Sequence, residues 1–383
     1  MDILNGAKAL APTLVSWRRT LHARPEIGFD LPRTREFLLG ELKGMGYHPQ
    51  EIGKGSIVAE IGPKTDGTVL LRADMDGLAV GEETDLSFRS ENGKMHACGH
   101  DLHAAMLLGA AMLLKEKESS LRRRVRLLFQ AAEETLQGAE DARSFGVCDG
   151  VCAAYMLHVT VNTNLPAGTV IVPPAGIIAP SADFFEISVK GRGCHGADPA
   201  AGIDPLSVAA RILLGLQNLP SREFPSGALG ALTVGSLRGG DCFNVIPDTA
   251  RLQGSLRCYG EDLRAFLKTR VKEIASFTAD GFRASAAVSF PVGCPSLKND
   301  EALRNSLPAV LEHVLGKEGV LVANTPSGTA GSEDFAVISH AVPSVMLALA
   351  AGNPGVPLHH PKIVFDENAL PYGTAALAAL AMQ

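Results

Sequence analysis

Four short apolar runs, GSIVAEIG, TVLLRADMD, RRVRLLFQAAEE and GVCAAYMLHV, alternate with helical patterns along the first part of the chain. They narrow the possible folds more than any other feature. Apolar runs flanked on both sides by helices read as buried, largely parallel strands of an α/β sheet, because both faces of such a sheet are covered. Polar residues then fall where strands end: Asp74 and Asp76 after TVLLR, Glu133 and Glu134 after VRLLFQ, His158 after AAYML. Open α/β sheets usually place their sites at that edge.

The pattern changes after the Pro- and Gly-rich stretch LPAGTVIVPPAGIIAPSA. From 182 to 289 the order reads strand, helix, strand, strand, helix, strand, which suits an inserted unit of two helices on a four-stranded, antiparallel sheet. Residues 290–383 return to helix and strand alternation and are expected to complete the first domain, 1–181.

Composition excludes several classes. A net charge of -6 spread along 383 residues gives no basic stripe for nucleic acid or an anionic membrane. No apolar run reaches the roughly 18 residues of a membrane span. The stretch MDILNGAKALAPTLVSWRRTLHARPEIGF reads as an amphipathic helix carrying Arg18 and Arg19, without the design of a secretion signal. Seven scattered cysteines fit a reducing compartment better than a disulfide framework, so a cytoplasmic location is expected.

The segment KMHACGHDLHAAM concentrates three histidines, a cysteine and an aspartate in a chain with 11 histidines in all. Imidazole, thiolate and carboxylate are the ligands of zinc and similar ions. Cys98 and His100 stand two apart, which on an extended or turning segment points both side chains the same way. Adjacent Glu133 and Glu134 repel each other in a dry site unless a cation is present. By itself such a pair is commonplace on a surface helix; beside the cluster it gains meaning.

Nine motifs together carry a resemblance over nearly the whole chain: RRTLHARPEIGFDLPRT, LLRADMDGLAV, GKMHACGHDLHAAMLLGAA, FQAAEE, LHV, VKGRGCHGADP, NVIPDTARLQGSLR, GSEDFA and PLHHPKIVFDENAL. The chain resembles the metal-dependent amidohydrolases that include hippurate hydrolases, N-acyl-amino-acid amidohydrolases and plant hormone-conjugate hydrolases. These belong to a wider group with aminoacylases and glutamate carboxypeptidases. The resemblance implies a metallopeptidase-like α/β catalytic domain with a mixed sheet, plus an inserted α+β lid and dimerisation domain. It implies two divalent ions (Mn, Zn, Co or Ni) held by Cys98, His100, Glu134, His158 and His359. Glu133 is then the general base and Asp76 the carboxylate that orients a ligand. In the wider group a His-x-Asp motif supplies a ligand where this chain has Asp74-Met75-Asp76, so Asp74 does not inherit that role and Cys98 takes its place.

The same resemblance makes His195 the donor to the oxyanion, and relates Asn244 and Arg257 to substrate binding. His103, His360, Asp101 and Asp334 sit inside matching motifs with structural roles open to them, while His22, His48, His313 and His340 read as ordinary helix or loop residues. The expected reaction is hydrolysis of N-acyl amino acids by a homodimer, Glu133 taking the water's proton and passing it to the amine. A carboxypeptidase or dipeptidase is the alternative within the class. A non-catalytic metal- or ligand-binding protein is the alternative outside it, against which Glu133 argues, since a pure binder has no need of an unliganded carboxylate beside the ions.

Overall fold

A computed structural model describes residues 3–64, 67–325 and 331–383. The chain divides into two compact units. One is built from residues up to Ile178, from Lys298 and again from Glu333 onward; the other contains Ala179–Leu297, joined by Gly331 and Ser332.

In the first unit, eight strands among the described residues form one mixed sheet in the order Gln50–Ile52, Ser56–Ile61, Arg124–Gln130, Thr68–Asp74, Val151–Thr160, Ser344–Ala350, Val170–Val172, Val320–Val322. Thr68–Asp74 pairs in parallel with Arg124–Gln130 and with Val151–Thr160, which in turn pairs in parallel with Ser344–Ala350. Every residue of Thr68–Asp74 is buried, as a strand covered on both faces requires. Helix His100–Glu116 is buried over most of its circumference, with Leu102, Ala105, Met106 and Leu113 among its core residues. Four parallel strands thus end at one edge, where Asp74, Gln130 and His158 lie.

Ser56–Ile61 departs from the parallel expectation, pairing antiparallel with Arg124–Gln130. Only residues 62–67 separate it from Thr68–Asp74, too short a link for the dozen or so residues of a parallel crossover. The N-terminal helix is also two helices, Ile3–Ala9 and Ala11–His22, with Pro12 in the first turn of the second. Proline lacks the N–H that a continuous helix needs, whereas in a first turn nothing is lost.

The second unit has a four-stranded antiparallel sheet, in the order Gly230–Arg238, Thr249–Cys258, Ser181–Lys190, Ser285–Cys294. Phe185, Ile187 and Val189 alternate toward helices Pro205–Leu216 and Glu261–Gly281, which contribute Val208, Ile212, Leu267 and Val271 to the same core. A two-stranded ribbon, Cys194–His195 against Val245–Ile246, completes it. No helix among the described residues is long and apolar enough to cross a membrane.

Candidate metal centre

The turn after strand Arg124–Gln130 presents the two adjacent glutamates. Ala132 and Leu136 both have positive φ, 57° and 55°, a conformation that L-residues adopt only where surrounding contacts enforce it. One such contact is Asp76, fully buried, whose Oδ1 accepts from Glu133 N at 3.1 Å and whose Oδ2 accepts from Glu134 N at 3.3 Å. A single carboxylate therefore fixes the backbone that carries both glutamates.

Gly99, between Cys98 and His100, has φ 87°, and a Cβ there would stand 2.4 Å from Val159 Cγ2. Only glycine lets the chain turn this tightly against the strand that carries His158. His100 Nδ1 lies 3.0 Å from the Asp76 carbonyl oxygen, and His158 Nδ1 lies 2.6 Å from that of Val159. A carbonyl only accepts, so Nδ1 carries a proton in both rings and Nε2 is the nitrogen whose lone pair can face a cation.

Those lone pairs converge. Cys98 Sγ is 3.5 Å from His158 Nε2; His100 Nε2 is 3.9 Å from Glu133 Oε2 and 3.9 Å from Glu134 Oε1; His359 Nε2 is 3.8 Å from Glu134 Oε1. Ligands about 2.0–2.3 Å from a shared ion, at tetrahedral angles, stand roughly 3.3–3.8 Å from one another. Buried His100 Nε2 and Glu134 Oε1 have no hydrogen-bond partner among the described residues. Donors of this kind, aimed together and left unpaired, fit a divalent cation. His359 is the exposed member and holds a positive φ of 66°, with its N–H donating to Ala97 O at 2.9 Å.

The electrostatics agree with that fit. Burial pushes the Glu134 carboxyl up to about 7, with Asp76 and Asp74 adding to the effect against the pull of His100. Burial likewise raises the Glu133 carboxyl, reinforced by Glu333 and Asp334, and it pushes the Cys98 thiol up. Desolvation drives His158 down to about 3 and His359 below its ordinary value. These shifts disfavour the charged form, whereas His100 is raised against its burial by Asp74 and Cys98; a cation among them reverses the balance for the carboxylates and the thiol and takes the place of a proton on His100.

Asp74, the residue excluded as a ligand, has both oxygens engaged: Oδ2 with Arg72 at 2.7 Å, Oδ1 with His103 at 2.6 Å. Arg72 also reaches Glu333 at 3.0 Å, Asp334 at 2.8 Å and Gln130 at 3.0 Å. Sequence reasoning passed over Arg72 and Glu333. The available signal was an arginine inside the otherwise apolar run TVLLRAD. His22 corrects the reading as an ordinary helix residue. It is buried, with Nδ1 2.7 Å from Asp101 Oδ2 and Nε2 3.1 Å from Glu82 Oε1, partners too distant in sequence to announce themselves.

The other three predicted residues belong to the second unit. His195 is exposed on the two-stranded ribbon opposite Val245, and its Nδ1 accepts from Ala197 N at 3.1 Å. Asn244 is exposed at the ribbon's other strand, its carbonyl accepting from Gly196 N at 2.8 Å. Arg257, half-buried on Thr249–Cys258, donates to Ser332 Oγ at 2.9 Å.

Residues 70–383 match the model of peptidase family M20/M25/M40. The chain belongs to that family. This makes it a metal-dependent, peptidase-like hydrolase, and its relatives are consistent with that. An N-acetylcysteine deacetylase of Bacillus subtilis is 35% identical, the match covering 98% of this chain and 97% of the relative. The IAA-amino acid hydrolase ILR1-like 4 of Arabidopsis thaliana is 35% identical over 96% of this chain and 84% of its own length. A Bacillus subtilis crystal structure, described as a dinuclear metal binding peptidase from the M20 family, superposes with a TM-score of 0.79 at 32% identity, covering 98% of each chain.

Proposed function

We propose that this M20-family chain cleaves the amide bond of N-acyl amino acids, releasing a free amino acid and a carboxylic acid. The observation that carries the reading is the pairing of Glu134, whose Oε1 faces His100 and His359, with Glu133, a buried carboxylate left over beside the same donors. The names of the deacetylase and the IAA-amino acid hydrolase point to the same bond.

In this reading Cys98, His100, Glu134, His158 and His359 hold two divalent ions, with Mn, Zn, Co and Ni all compatible with a mixed thiolate, imidazole and carboxylate set. Such ions polarise the amide carbonyl and make a bound water acidic. Glu133 takes the water's proton and hands it to the departing amine. Asp76 keeps Glu133 beside its neighbour. His195 donates to the oxyanion, a role whose loss typically raises the barrier by about 2.7–4 kcal/mol. Arg257, with a planar fork, takes the substrate's carboxylate, and Asn244 contacts the substrate. A cytoplasmic homodimer, associated through the inserted region, completes the proposal.

The test is hydrolysis of hippurate, N-acetyl amino acids, longer N-acyl amino acids and dipeptides by metal-stripped protein reloaded with each of the four metals. Metal-restored release of amino acid from the acylated substrates is expected. Turnover of dipeptides alone would replace the reading with a dipeptidase. Silence across the panel from protein holding two ions would overturn it in favour of a binding protein.

A further inference from the structure

His103 lies three residues after His100, fully inside the first unit, and the proposed reaction gives it no task. Both of its ring nitrogens are committed. Val159 N donates to Nε2 at 2.9 Å, and a backbone amide only donates, so Nε2 is unprotonated and Nδ1 carries the proton. That Nδ1–H then donates to Asp74 Oδ1 at 2.6 Å, while Asp74 Oδ2 is held by Arg72 at 2.7 Å. The ring is thus a neutral imidazole fixed from both sides.

The acceptor at Val159 answers a need of the sheet. Strand Thr68–Asp74 pairs with Val151–Thr160 only as far as Arg72 opposite Met156. Beyond that point the strand edge has lost its neighbour, and a buried N–H without an acceptor is unfavourable. His103 supplies that acceptor at the residue whose carbonyl in turn receives His158 Nδ1–H at 2.6 Å. The His103 ring also packs against both imidazoles of the cluster, its centroid 4.6 Å from that of His158 at 66° and 5.4 Å from that of His100 at 29°.

We propose that His103, held by Asp74, is a positioning residue that sets the orientation of His100 and His158 toward the metal ions without binding one itself. The Asp74, His100 and His103 side chains lie close enough to suggest a ligand triad, but the lone pair a metal would need on His103 is already used by Val159 N–H. The inference rests on the proposed ligand set.

Cobalt provides the test, because its absorption reports a bound thiolate and its paramagnetism shifts the exchangeable N–H signals of bound imidazoles. The wild-type protein is expected to show three such signals, from His100, His158 and His359. His103→Ala is expected to bind cobalt 10- to 100-fold more weakly, the usual range for losing a ligand's supporting partner, with an altered Cys98 charge-transfer band. His103→Gln, which returns an acceptor to Val159 N–H, recovers part of the affinity. Asp74→Asn shifts affinity in the same direction and serves if His103→Ala does not fold. A fourth shifted imidazole in the wild type, absent from His103→Gln, overturns the proposal by making His103 a ligand. Wild-type affinity and spectrum in folded His103→Ala or Asp74→Asn overturn it by making the contact idle. If the wild-type protein binds no cobalt at all, the ligand set itself fails.

Discussion

Asp76 Oδ2 accepts the backbone N–H of Glu134 at 3.3 Å, while the carbonyl of the same aspartate accepts His100 Nδ1–H at 3.0 Å. One buried residue therefore orients two of the proposed ligands and, through Oδ1 and Glu133 N, the proposed base. Asparagine in its place keeps the volume but offers one oxygen to two N–H donors. Asp76→Asn is expected to weaken metal binding by about 10- to 100-fold and to destabilise the metal-free protein by roughly 1–3 kcal/mol through the orphaned amide. Competition titration with a chromogenic chelator and urea unfolding measure the two effects separately.

Glu133 differs from its neighbour in consequence. Its side chain is in the cluster, yet the proposed role is proton transfer, so Glu133→Gln is expected to lower kcat by about 10²- to 10⁴-fold while metal content stays at two ions per chain. Elemental analysis beside steady-state kinetics on an N-acetyl amino acid distinguishes this from ligand loss. Full turnover by the variant would remove Glu133 from the mechanism.

How much of this was readable from the chain follows from the range of each interaction. The strands Thr68–Asp74, Arg124–Gln130 and Val151–Thr160 announce themselves because their apolar runs are local and continuous. The gathering of Cys98, His100, Glu134, His158 and His359 was legible only through motif resemblance, since nothing local ties residue 98 to residue 359. The antiparallel course of Ser56–Ile61 depends on the length of a link rather than on its own residues. His22 and Arg72 were misread or missed because their partners are remote. Asp101 is 79 positions from His22, and Asp334 is 262 from Arg72.

The raised Glu134 carboxyl makes metal-free stability depend on pH. Burial lifts its pKa from 4.5 to about 7, so between those values the folded chain binds more protons than the unfolded one and stability falls as pH rises, by roughly 3 kcal/mol across the window. His158, held down to about 3, acts in the opposite sense, and its contribution is complete by its ordinary value of 6.5. Glu134→Gln removes only the first effect. After chelation the variant is expected to melt at a higher temperature than the unsubstituted protein at pH 8 and at nearly the same temperature at pH 4.5. With manganese added at pH 8 the order should reverse, because the variant has lost a ligand.

Arg72 is where the site's charge balance is most exposed to a single substitution. Its guanidinium is wholly buried and meets Asp74, Glu333 and Asp334, each within 3.0 Å. Methionine fills much of the same space but leaves three buried carboxylates with no counter-charge, and breaking a buried pair in this way typically destabilises by about 3–5 kcal/mol. Protonation is the available relief, and burial has already lifted Asp334 to about 7. Arg72→Met is therefore expected to unfold at markedly lower urea than the unsubstituted protein at pH 8, with the gap narrowing at pH 6 as the carboxylates take up protons. Arg72→Lys, which keeps the charge but cannot fork to three partners, should fall between them. Urea midpoints for the three proteins at both pH values decide the matter, and a gap that does not change with pH would mean that lost packing rather than unpaired charge weakens the variant.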